Sequence, residues 1–599
     1  MSENRLSFGK LFWPSFLAVF VAGLVGMVFF FLVLGGIIGS FGDFGPEPLA
    51  LQNKTVLHLR LSGTVQDISE QSFDPTSLRL DHTMGLPEIL VGLQEAAQDS
   101  KIKGIFLEMK SPTIGMATAE ELRTALIDFQ KSGKFVVAYL TGEQVSQLDY
   151  YVSSACKEVY GMHGATFLWS GLHAESYFFK NLLDELQIGV MVVRGKENDF
   201  KSAVEPFFRS EMSDSSRVQM QVLMQGLWGQ IRNDISSSRK VDTAVLDSLA
   251  NALAVRNLDQ AASNRLLQKT MYRGEVLAML KKKVGIDENT PLRLQAFGKY
   301  ARDTFHDNQL LARQERHVAV ILAEGDVETE GAQISTSRMT KMLRQVRDND
   351  EVKAVILRIN SPGGSALASE EIWKEVALTA AKKTLYVSMG DYAASGGYYI
   401  AMPALKIFAS PMSITGSIGV FGVVPYAGDF FENKLGVTTD EVRTHRYGNL
   451  SLTHQLSAEE LNMMQLEVDA IYNQFLKRVS EGRKLSKKAV QRVSRGRIWT
   501  GIDAKQNGLV DELGGLNATI RALQKQVGVK EVVYYPQQED DAFSNILALL
   551  DEELEGEKSQ SKVQIPSELL LYYQKYAQIK KMKGLQMRLP FSFCIYWFH

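Results

Sequence analysis

Hydrophobic runs and amphipathic stretches alternate along the second half of the chain. Short apolar runs at 352–359, 385–389 and 406–409 predict buried strands. The segment 369–381, and another from about Gly396, have apolar residues at near-helical spacing and predict helices between those strands. Strands that alternate with helices favour parallel strands joined by helical crossovers, so the predicted fold class is α/β.

A further long helix is predicted to follow Ser457. Residues 457–460 read Ser-Ala-Glu-Glu, which has the form of a capping box. Apolar side chains then recur along one helical face, at Leu461, Met464, Val468, Ile471 and Phe475.

The first fifty residues contain an apolar segment long enough to span a membrane. Residues 11–42 carry no charged side chain, whereas about 20 residues suffice to cross the hydrocarbon. A cleaved signal peptide has a shorter apolar region of roughly 7–15 residues, so we expect an uncleaved anchor. Arg5 and Lys10 precede the segment, and Asp43 and Glu47 follow it. This charge pattern predicts a cytoplasmic N-terminus and a remaining chain on the outer side of the membrane.

Two stretches of the chain resemble each other at a nearly constant separation. Residues 101–112 (KIKGIFLEMKSP) match residues 351–362 (EVKAVILRINSP) at an offset of 250, which falls to 248 at a later pair of tyrosines. A repeat this long indicates two copies of one domain. The predicted organisation is a cytoplasmic stub and anchor at 1–45, domains at 55–285 and 317–535, a polar connector at 286–316, and a C-terminal tail at 536–599.

The two copies differ at two corners that carry glycine pairs. In the second copy Ser395 and two glycines follow a predicted strand, where first-turn N–H groups are unpaired and the backbone is open to close approach. The first copy has Gln-Leu-Asp at the matching positions, and it also lacks the pair Gly363 and Gly364. A Pro-Gly-Gly turn can direct backbone N–H groups at a carbonyl oxygen, as an oxyanion hole requires. Loss of both corners in one copy favours shared chemistry over an ordinary N-cap and turn.

A nucleophilic serine needs a base, and the sequence contains two kinds of candidate, histidine and lysine. His445 and His454 lie in a loop-like stretch of the second copy, without a clear carboxylate to orient them. Lys201 of the first copy lies in a run rich in phenylalanine, and the second copy has no lysine at the matching place. The residues alone leave both kinds of base open.

Lys201 has a structural alternative, a solvated ion pair with Glu205 one helical turn later. Pro206 disfavours a helical conformation for Glu205, which argues against that pair. For Lys201 to act as a base, its pKa must fall from about 10.4 toward 7–8. That shift requires roughly 3–5 kcal/mol of destabilisation of the ammonium, which burial can supply.

These features together resemble one family of peptidases. A membrane anchor, a duplicated domain, the run FKSAVEPF at 200–207, and the runs NSPGG at 360–364 and AASGGYY at 393–399 are similar to the long form of signal peptide peptidase A. The resemblance covers the chain from the anchor to about residue 535. It implies tandem domains of the crotonase/ClpP-like fold behind an N-terminal transmembrane helix.

The resemblance also implies a Ser-Lys peptidase. Ser395 matches the nucleophile of the family and Lys201 its general base. Gly363, with Gly364 beside it, matches the oxyanion-hole position. Ser417, in the run TGSIG at 415–419, matches the serine that orients the lysine amine.

The resemblance further implies a homotetramer in the bacterial cytoplasmic membrane, with catalytic domains on the outer side that digest signal peptides after their release. No cofactor or metal is expected, because the sequence contains no Walker loop, His-Glu-x-x-His or nucleotide fingerprint. A net charge of −2 gives no reason to expect nucleic acid, and two distant cysteines exclude a disulfide scaffold.

Two other functions are compatible with parts of the pattern. One is a non-enzymatic, membrane-associated scaffold that binds peptides. The other is an acyl-CoA enzyme, since crotonase folds host thioester chemistry, although an exported domain would not routinely meet coenzyme A. The aromatic C-terminal run at 590–599 is not matched by the family and is too short to span a bilayer. It predicts either a frayed or packed tail or an interfacial membrane contact.

Overall fold

A computed structural model describes residues 51–74, 79–195, 197–287, 289–448, 451–536 and 585–588. The anchor predicted at 11–42 and most of the C-terminal tail lie outside the described residues. None of the helices within the described ranges is long and apolar enough to cross a membrane. The chain divides into a short unit, Met1–Asn53, and a large one, Lys54–His599, and the fold described below is that of the large unit.

The first half of the large unit alternates short strands and helices. Its strands are β1 (Thr55–Leu61), β2 (Thr64–Val65), β3 (Glu70–Asp74), β4 (Arg79–Thr83), β5 (Ile102–Met109), β6 (Thr113–Ile114), β7 (Phe135–Leu140), β8 (Gln144–Val145), β9 (Glu158–Gly161), β10 (Thr166–Phe167), β11 (Gly189–Arg194), β12 (Lys269–Thr270) and β13 (Leu294–Ala296). Its helices are α1 (Leu86–Gln98), α2 (Met116–Gln130), α3 (Gln147–Ser153), α4 (Lys180–Glu185), α5 (Glu205–Phe208), α6 (Asp214–Arg239), α7 (Thr243–Asn251), α8 (Leu258–Ser263), α9 (Arg273–Val284) and α10 (Phe297–Ala312).

The second half repeats this alternation. Its strands are β14 (His317–Glu324), β15 (Val327–Glu328), β16 (Ile334–Ser335), β17 (Val352–Ser361), β18 (Gly363–Ser365), β19 (Thr384–Ala394), β20 (Lys406–Ala409), β21 (Ile414–Gly416), β22 (Phe421–Tyr426), β23 (Ile498–Thr500), β24 (Glu512–Leu513), β25 (Glu531–Tyr535) and β26 (Leu585–Arg588). Its helices are α11 (Thr336–Asp348), α12 (Ala366–Lys382), α13 (Gly396–Ile400), α14 (Ala458–Arg483), α15 (Lys487–Val493), α16 (Gly501–Gln506) and α17 (Leu516–Val527).

Each half builds its own sheet around parallel strands in the same order. The first sheet runs β12-β9-β7-β5-β1-β13, and the second contains the matching order β24-β20-β19-β17-β14-β25. In the second sheet β21 also pairs with β19, and β23 adds to β21 as an antiparallel edge strand. Strands β1, β5, β7 and β9 therefore hold the places that β14, β17, β19 and β20 hold in the second sheet. The predicted α/β class with tandem copies of one domain is confirmed.

The predicted elements of the second half are all present. Strand β20 has the predicted bounds, and the capping box of Ser457 and Glu460 opens α14. Strands β17 and β19 run further than their apolar cores, to Ser361 and Ala394. Strand β19 therefore ends at the residue before Ser395.

The segment 286–316, predicted as a connector, contains folded elements. Strand β13 adds to the edge of the first sheet beside β1. In α10 the Gln309 amide donates to the Val532 carbonyl at 3.1 Å and accepts from the Tyr534 N–H at 2.8 Å. The helix is thereby bonded to β25, so this polar segment joins the two sheets.

Buried charges also fix the two halves to each other. Arg358 of β17 lies 2.8 Å from Asp67 and 2.7 Å from Glu121, both in the first half, and its side chain is fully buried. The carboxylate of Asp391 accepts from the N–H groups of Ala117 and Thr118 at the start of α2, at 2.7 and 3.0 Å. An isolated buried charge is costly, so these pairings require the halves to be docked.

A third sheet combines strands from both halves, in the order β11-β22-β26-β18-β15-β16. Strand β11 of the first half pairs antiparallel with β22 of the second, which brings Arg194 opposite Phe421. The chain after β11 leads directly into the loop that carries Lys201. This shared sheet therefore brings the first copy to the corner that carries Ser395.

Candidate active site

Ser395 lies at a sharp corner between β19 and α13. Its backbone has φ 55° and ψ −113°, outside the helical and extended regions. Such a conformation costs a non-glycine residue of order 1–3 kcal/mol and persists where the surroundings impose it. Here the Ser395 N–H donates to the Gly416 carbonyl at 2.8 Å, and the Tyr399 N–H donates to the Ser395 carbonyl at 2.8 Å.

The two glycines after Ser395 are required by close packing. A Cβ on Gly396 would lie 2.5 Å from Ser369 Oγ, and a Cβ on Gly397 would lie 2.8 Å from the Ser361 carbonyl oxygen. Any larger residue would push the corner away from β17 and α12. The glycine pair therefore sets the position of the serine against the sheet.

Lys201 reaches this corner from the first half, 194 residues away in sequence. Its loop is bonded to the second half, because the Asn198 side-chain amide donates to the Val420 carbonyl at 3.1 Å and the Phe200 N–H donates to the Arg495 carbonyl at 3.0 Å. The backbone of Gly496 packs directly against Lys201, so that a Cβ on Gly496 would lie 2.5 Å from the Lys201 backbone nitrogen. The second half thus holds the loop that carries the amine.

The amine of Lys201 is bonded to three oxygens. Nζ lies 2.8 Å from Ser395 Oγ, 2.9 Å from Ser417 Oγ and 3.0 Å from the Ser417 carbonyl oxygen. Lys201, Ser395 and Ser417 are all fully buried. The Phe421 ring centroid is 6.0 Å from Nζ, on the apolar side of the pocket.

Burial lowers the pKa of the Lys201 amine well below that of a free lysine. The cause is desolvation, since burial removes water from the charged form and the three bonded oxygens belong to neutral groups. The shift therefore favours the neutral amine, which has a lone pair available to accept a proton.

The alternative ion pair with Glu205 is not formed. The Glu205 carboxylate accepts instead from the N–H and hydroxyl of Ser213, at 3.1 and 2.5 Å. The expectation that Pro206 keeps Glu205 out of the helical region is wrong, because Glu205 has φ −54° and ψ −37° and begins α5. Proline suits the first turn of a helix, where its missing N–H has no intrahelical partner to lose.

The two histidines proposed as alternative bases are bonded elsewhere. His445 is exposed, and its Nδ1 lies 3.0 Å from Thr444 Oγ1. His454 Nε2 lies 3.4 Å from Glu460 Oε2, beside the start of α14. The geometry brings Lys201 to Ser395 and neither histidine.

The glycine turn at 363–364 lies beside the serine corner. Gly363 has φ +99°, its N–H donates to Ser361 Oγ at 3.2 Å, and a Cβ there would lie 2.7 Å from the Gly396 backbone nitrogen. A Cβ on Gly364 would lie 2.1 Å from the Val327 carbonyl oxygen. The two glycine corners singled out in the sequence therefore lie against each other.

Ser417 is fixed by a third turn. It has φ 50°, follows Gly416 at φ 82°, and donates its N–H to the Arg497 carbonyl at 2.7 Å. The segment 494–497 was not singled out in the sequence, although it holds both Ser417 and the Lys201 loop. No sequence motif marks it, because its role depends on backbone contacts with residues about 80 and 300 positions away.

The structure thus brings a buried hydroxyl and a buried amine together where the two halves of the chain meet, and comparisons with known proteins give the family of the chain. Residues 128–287 and 377–530 match peptidase family S49. The chain is 32% identical to Protease 4 of Salmonella typhi over 85% of this chain and 84% of that protein. It is 29% identical to the chloroplastic serine protease SPPA of Arabidopsis thaliana over 79% of this chain and 69% of that protein. It is also 38% identical to a putative signal peptide peptidase SppA of Enterococcus faecium, over 31% of this chain and 54% of that protein.

The chain is therefore a serine peptidase. It belongs to peptidase family S49.

Proposed function

We propose that Ser395 is the nucleophile and Lys201 the general base of a Ser-Lys endopeptidase. The observation that carries this proposal is the 2.8 Å contact between Lys201 Nζ and Ser395 Oγ, both of which are fully buried. A neutral amine has two N–H donors and one lone pair. Ser417 offers two acceptors, its carbonyl and its hydroxyl, so the lone pair is left for the hydroxyl hydrogen of Ser395.

The proposed reaction then moves one proton back and forth. Lys201 takes the proton of Ser395 as Oγ attacks the carbonyl carbon of the peptide, and it returns that proton to the leaving amine when the C–N bond breaks. The acyl group remains on Ser395 as an ester. Lys201 next takes a proton from water, whose oxygen attacks the acyl carbon of the ester. The bond between Ser395 Oγ and the acyl carbon then breaks, Lys201 returns the proton to Oγ, and the new carboxyl terminus leaves.

The negative oxygen formed in each attack requires donors that are already in place. We assign this role to the turn of Gly363 and Gly364, which lies against the Gly396 nitrogen at the serine corner. Loss of a single such donor typically costs 10²–10³ in kcat. Ser417 is a positioning residue, because it touches the lysine amine and not the substrate.

The proposed substrates are signal peptides after their release, on the outer side of the bacterial cytoplasmic membrane. Support comes from the name of the relative in Enterococcus faecium and from the uncharged segment 11–42. In this proposal residues 1–45 anchor the chain with its N-terminus in the cytoplasm, and four copies assemble on the outer side. Deleting residues 1–45 should release active enzyme into the soluble fraction, and retention in the membrane fraction would contradict the anchor.

Labelling with a fluorophosphonate tests the chemistry. The wild-type chain should form an adduct on Ser395, and Ser395→Ala should form none. Lys201→Met, which matches the length of the lysine stem and removes the base, should lower kcat by at least about 10³. Because a buried amine is replaced by an apolar group, its melting temperature should not fall. Turnover retained in Lys201→Met would return the role of base to His445 or His454.

The two alternative functions are disfavoured by the family. A non-enzymatic scaffold has no need of a buried amine at 2.8 Å from a strained serine. An acyl-CoA enzyme is disfavoured because the chain belongs to a peptidase family. A wild-type chain that forms no fluorophosphonate adduct at Ser395 and hydrolyses no peptide would favour the scaffold instead.

A further inference from the structure

The C-terminal strand β26 lies inside the sheet that borders the active site. On one side it pairs antiparallel with β18, where Met587 is opposite Gly364. On the other side it pairs antiparallel with β22, beginning at Phe421, the residue whose ring faces the lysine amine. Strand β26 therefore occupies a gap one strand wide between the two walls of the site.

Met587 is placed in this gap as the reacting residue of a peptide would be. A Cβ on Gly363 would lie 2.1 Å from the Met587 carbonyl oxygen, and a Cβ on Gly396 would lie 3.2 Å from it. Gly396 directly follows Ser395. The side chain of Met587 is 1% exposed and belongs to the hydrophobic core of the second half. A carbonyl oxygen against the glycine turn and an apolar side chain in a closed pocket are features of a bound substrate strand.

We propose that Leu585–Arg588 is a resident pseudosubstrate, which holds the place of the substrate in the resting chain and has to leave before another peptide binds. The proposal rests on the proposed function of Ser395 and Lys201. Removal of β26 would leave the facing edges of β18 and β22 with unpaired N–H and C=O groups. An extended peptide binds such edges by main-chain hydrogen bonds, with pockets that read alternate side chains. The chain's own strand and a substrate thus compete for one set of donors and acceptors.

Strand β26 belongs to the same chain as the two edges that it pairs with, so it competes at an effective concentration and not at the concentration of the protein. Occupancy in cis should lower kcat/KM by a factor of one plus that effective concentration divided by the Ki of the free segment. For an effective concentration on the order of 1 mM and a Ki of about 10 µM, the factor is about 100.

The experiment compares four proteins in the same fluorogenic peptide assay. These are the wild type, a deletion of 585–599, Met587→Asp, and Met463→Asp as a control at an exposed methionine of α14. The deletion and Met587→Asp should raise kcat/KM by the same factor, because a carboxylate in the closed pocket expels the strand. Met463→Asp should behave as the wild type. A synthetic peptide of residues 583–590 should inhibit the deletion variant competitively, with the Ki that predicts this factor.

The outcomes separate this inference from the proposed function. Equal activity in all four forms would overturn the pseudosubstrate and leave the Ser-Lys peptidase intact. A total lack of activity in the deletion variant, together with no fluorophosphonate adduct, would overturn the proposed function instead. Activation of the wild type by dilution would contradict an occupant in cis, since it would show that the strand comes from another copy.

Discussion

Replacement of Ser417 by alanine tests whether this hydroxyl holds the Lys201 amine, the proposed base. The substitution removes the acceptor 2.9 Å from Lys201 Nζ and leaves the backbone carbonyl at 3.0 Å. A hydrogen bond from a charged donor contributes about 1.5–3 kcal/mol and one from a neutral donor about 0.5–1.5 kcal/mol. The ammonium form therefore loses more than the neutral form, which lowers the pKa of Lys201 further below that of a free lysine.

Two changes in the kinetics follow. The proposed base works as the neutral amine, so kcat/KM should rise with pH through the pKa of Lys201, and in Ser417→Ala this rise should move to lower pH. On the plateau, an amine with one N–H unsatisfied and free to rotate should be roughly 5- to 100-fold slower, which corresponds to about 1–2.7 kcal/mol.

The measurement is the pH profile of kcat/KM with a fluorogenic peptide, with the melting temperature recorded for each variant. Ser413→Ala is the matched control, because Ser413 is equally buried and donates to the Gly390 carbonyl at 2.6 Å, away from the amine. It should lose a similar amount of stability without a shift of the profile. A profile in Ser417→Ala that stays in place, or moves to higher pH, would refute the assignment of Ser417 as the residue that positions the amine.

Three further substitutions test other parts of the structure. Gly496→Ala should lower kcat/KM by about 10², because the new Cβ would displace Lys201 and a shift of about 1 Å is enough for that loss. Gly528→Ala is the control, since Gly528 also has a positive φ but no neighbour within 4 Å of an added Cβ. It should lower stability and leave kcat/KM unchanged. Arg358→Met leaves the buried carboxylates of Asp67 and Glu121 without their cation. The free energy of unfolding, measured by urea titration, should fall by about 3–5 kcal/mol. A loss below about 1 kcal/mol would contradict the buried ion pairs. Burial raises the pKa of Asp149 to about 6, so the folded chain holds a proton that the unfolded chain releases, and stability should fall as pH rises from about 4 to 6. Asp149→Asn should flatten that slope in denaturation curves measured across the same range, and an unchanged slope would contradict the raised pKa.

The alternation of strands and helices could be predicted from the sequence because it depends on local hydrophobic spacing. The strand at 406–409 was placed with the observed bounds. Comparison of the two copies indicated the corner of Ser395 and the turn of Gly363, since a glycine that is kept in one copy and lost in the other indicates a backbone constraint. In the structure the two corners touch.

Contacts between residues far apart in the chain could not be predicted from the sequence. The residues alone leave Lys201, His445 and His454 open as bases, because hydrophobic spacing does not say which loop docks on which sheet. The contact between Gly496 and Lys201 spans almost 300 residues and involves only backbone and Cβ atoms. The polarity of 286–316 predicts a connector but not its folded elements, because α10 is a half-exposed helix whose buried side bonds to β25 through the polar residue Gln309.

The hydroxyl and the amine come from opposite halves of the chain, and the segment 494–497 is needed to hold both. During synthesis on the ribosome, the residues up to Phe421 can emerge and begin to fold before Arg497 has been made. A nascent chain therefore cannot hold Lys201 against Ser395 in this way until more than four fifths of it has been translated.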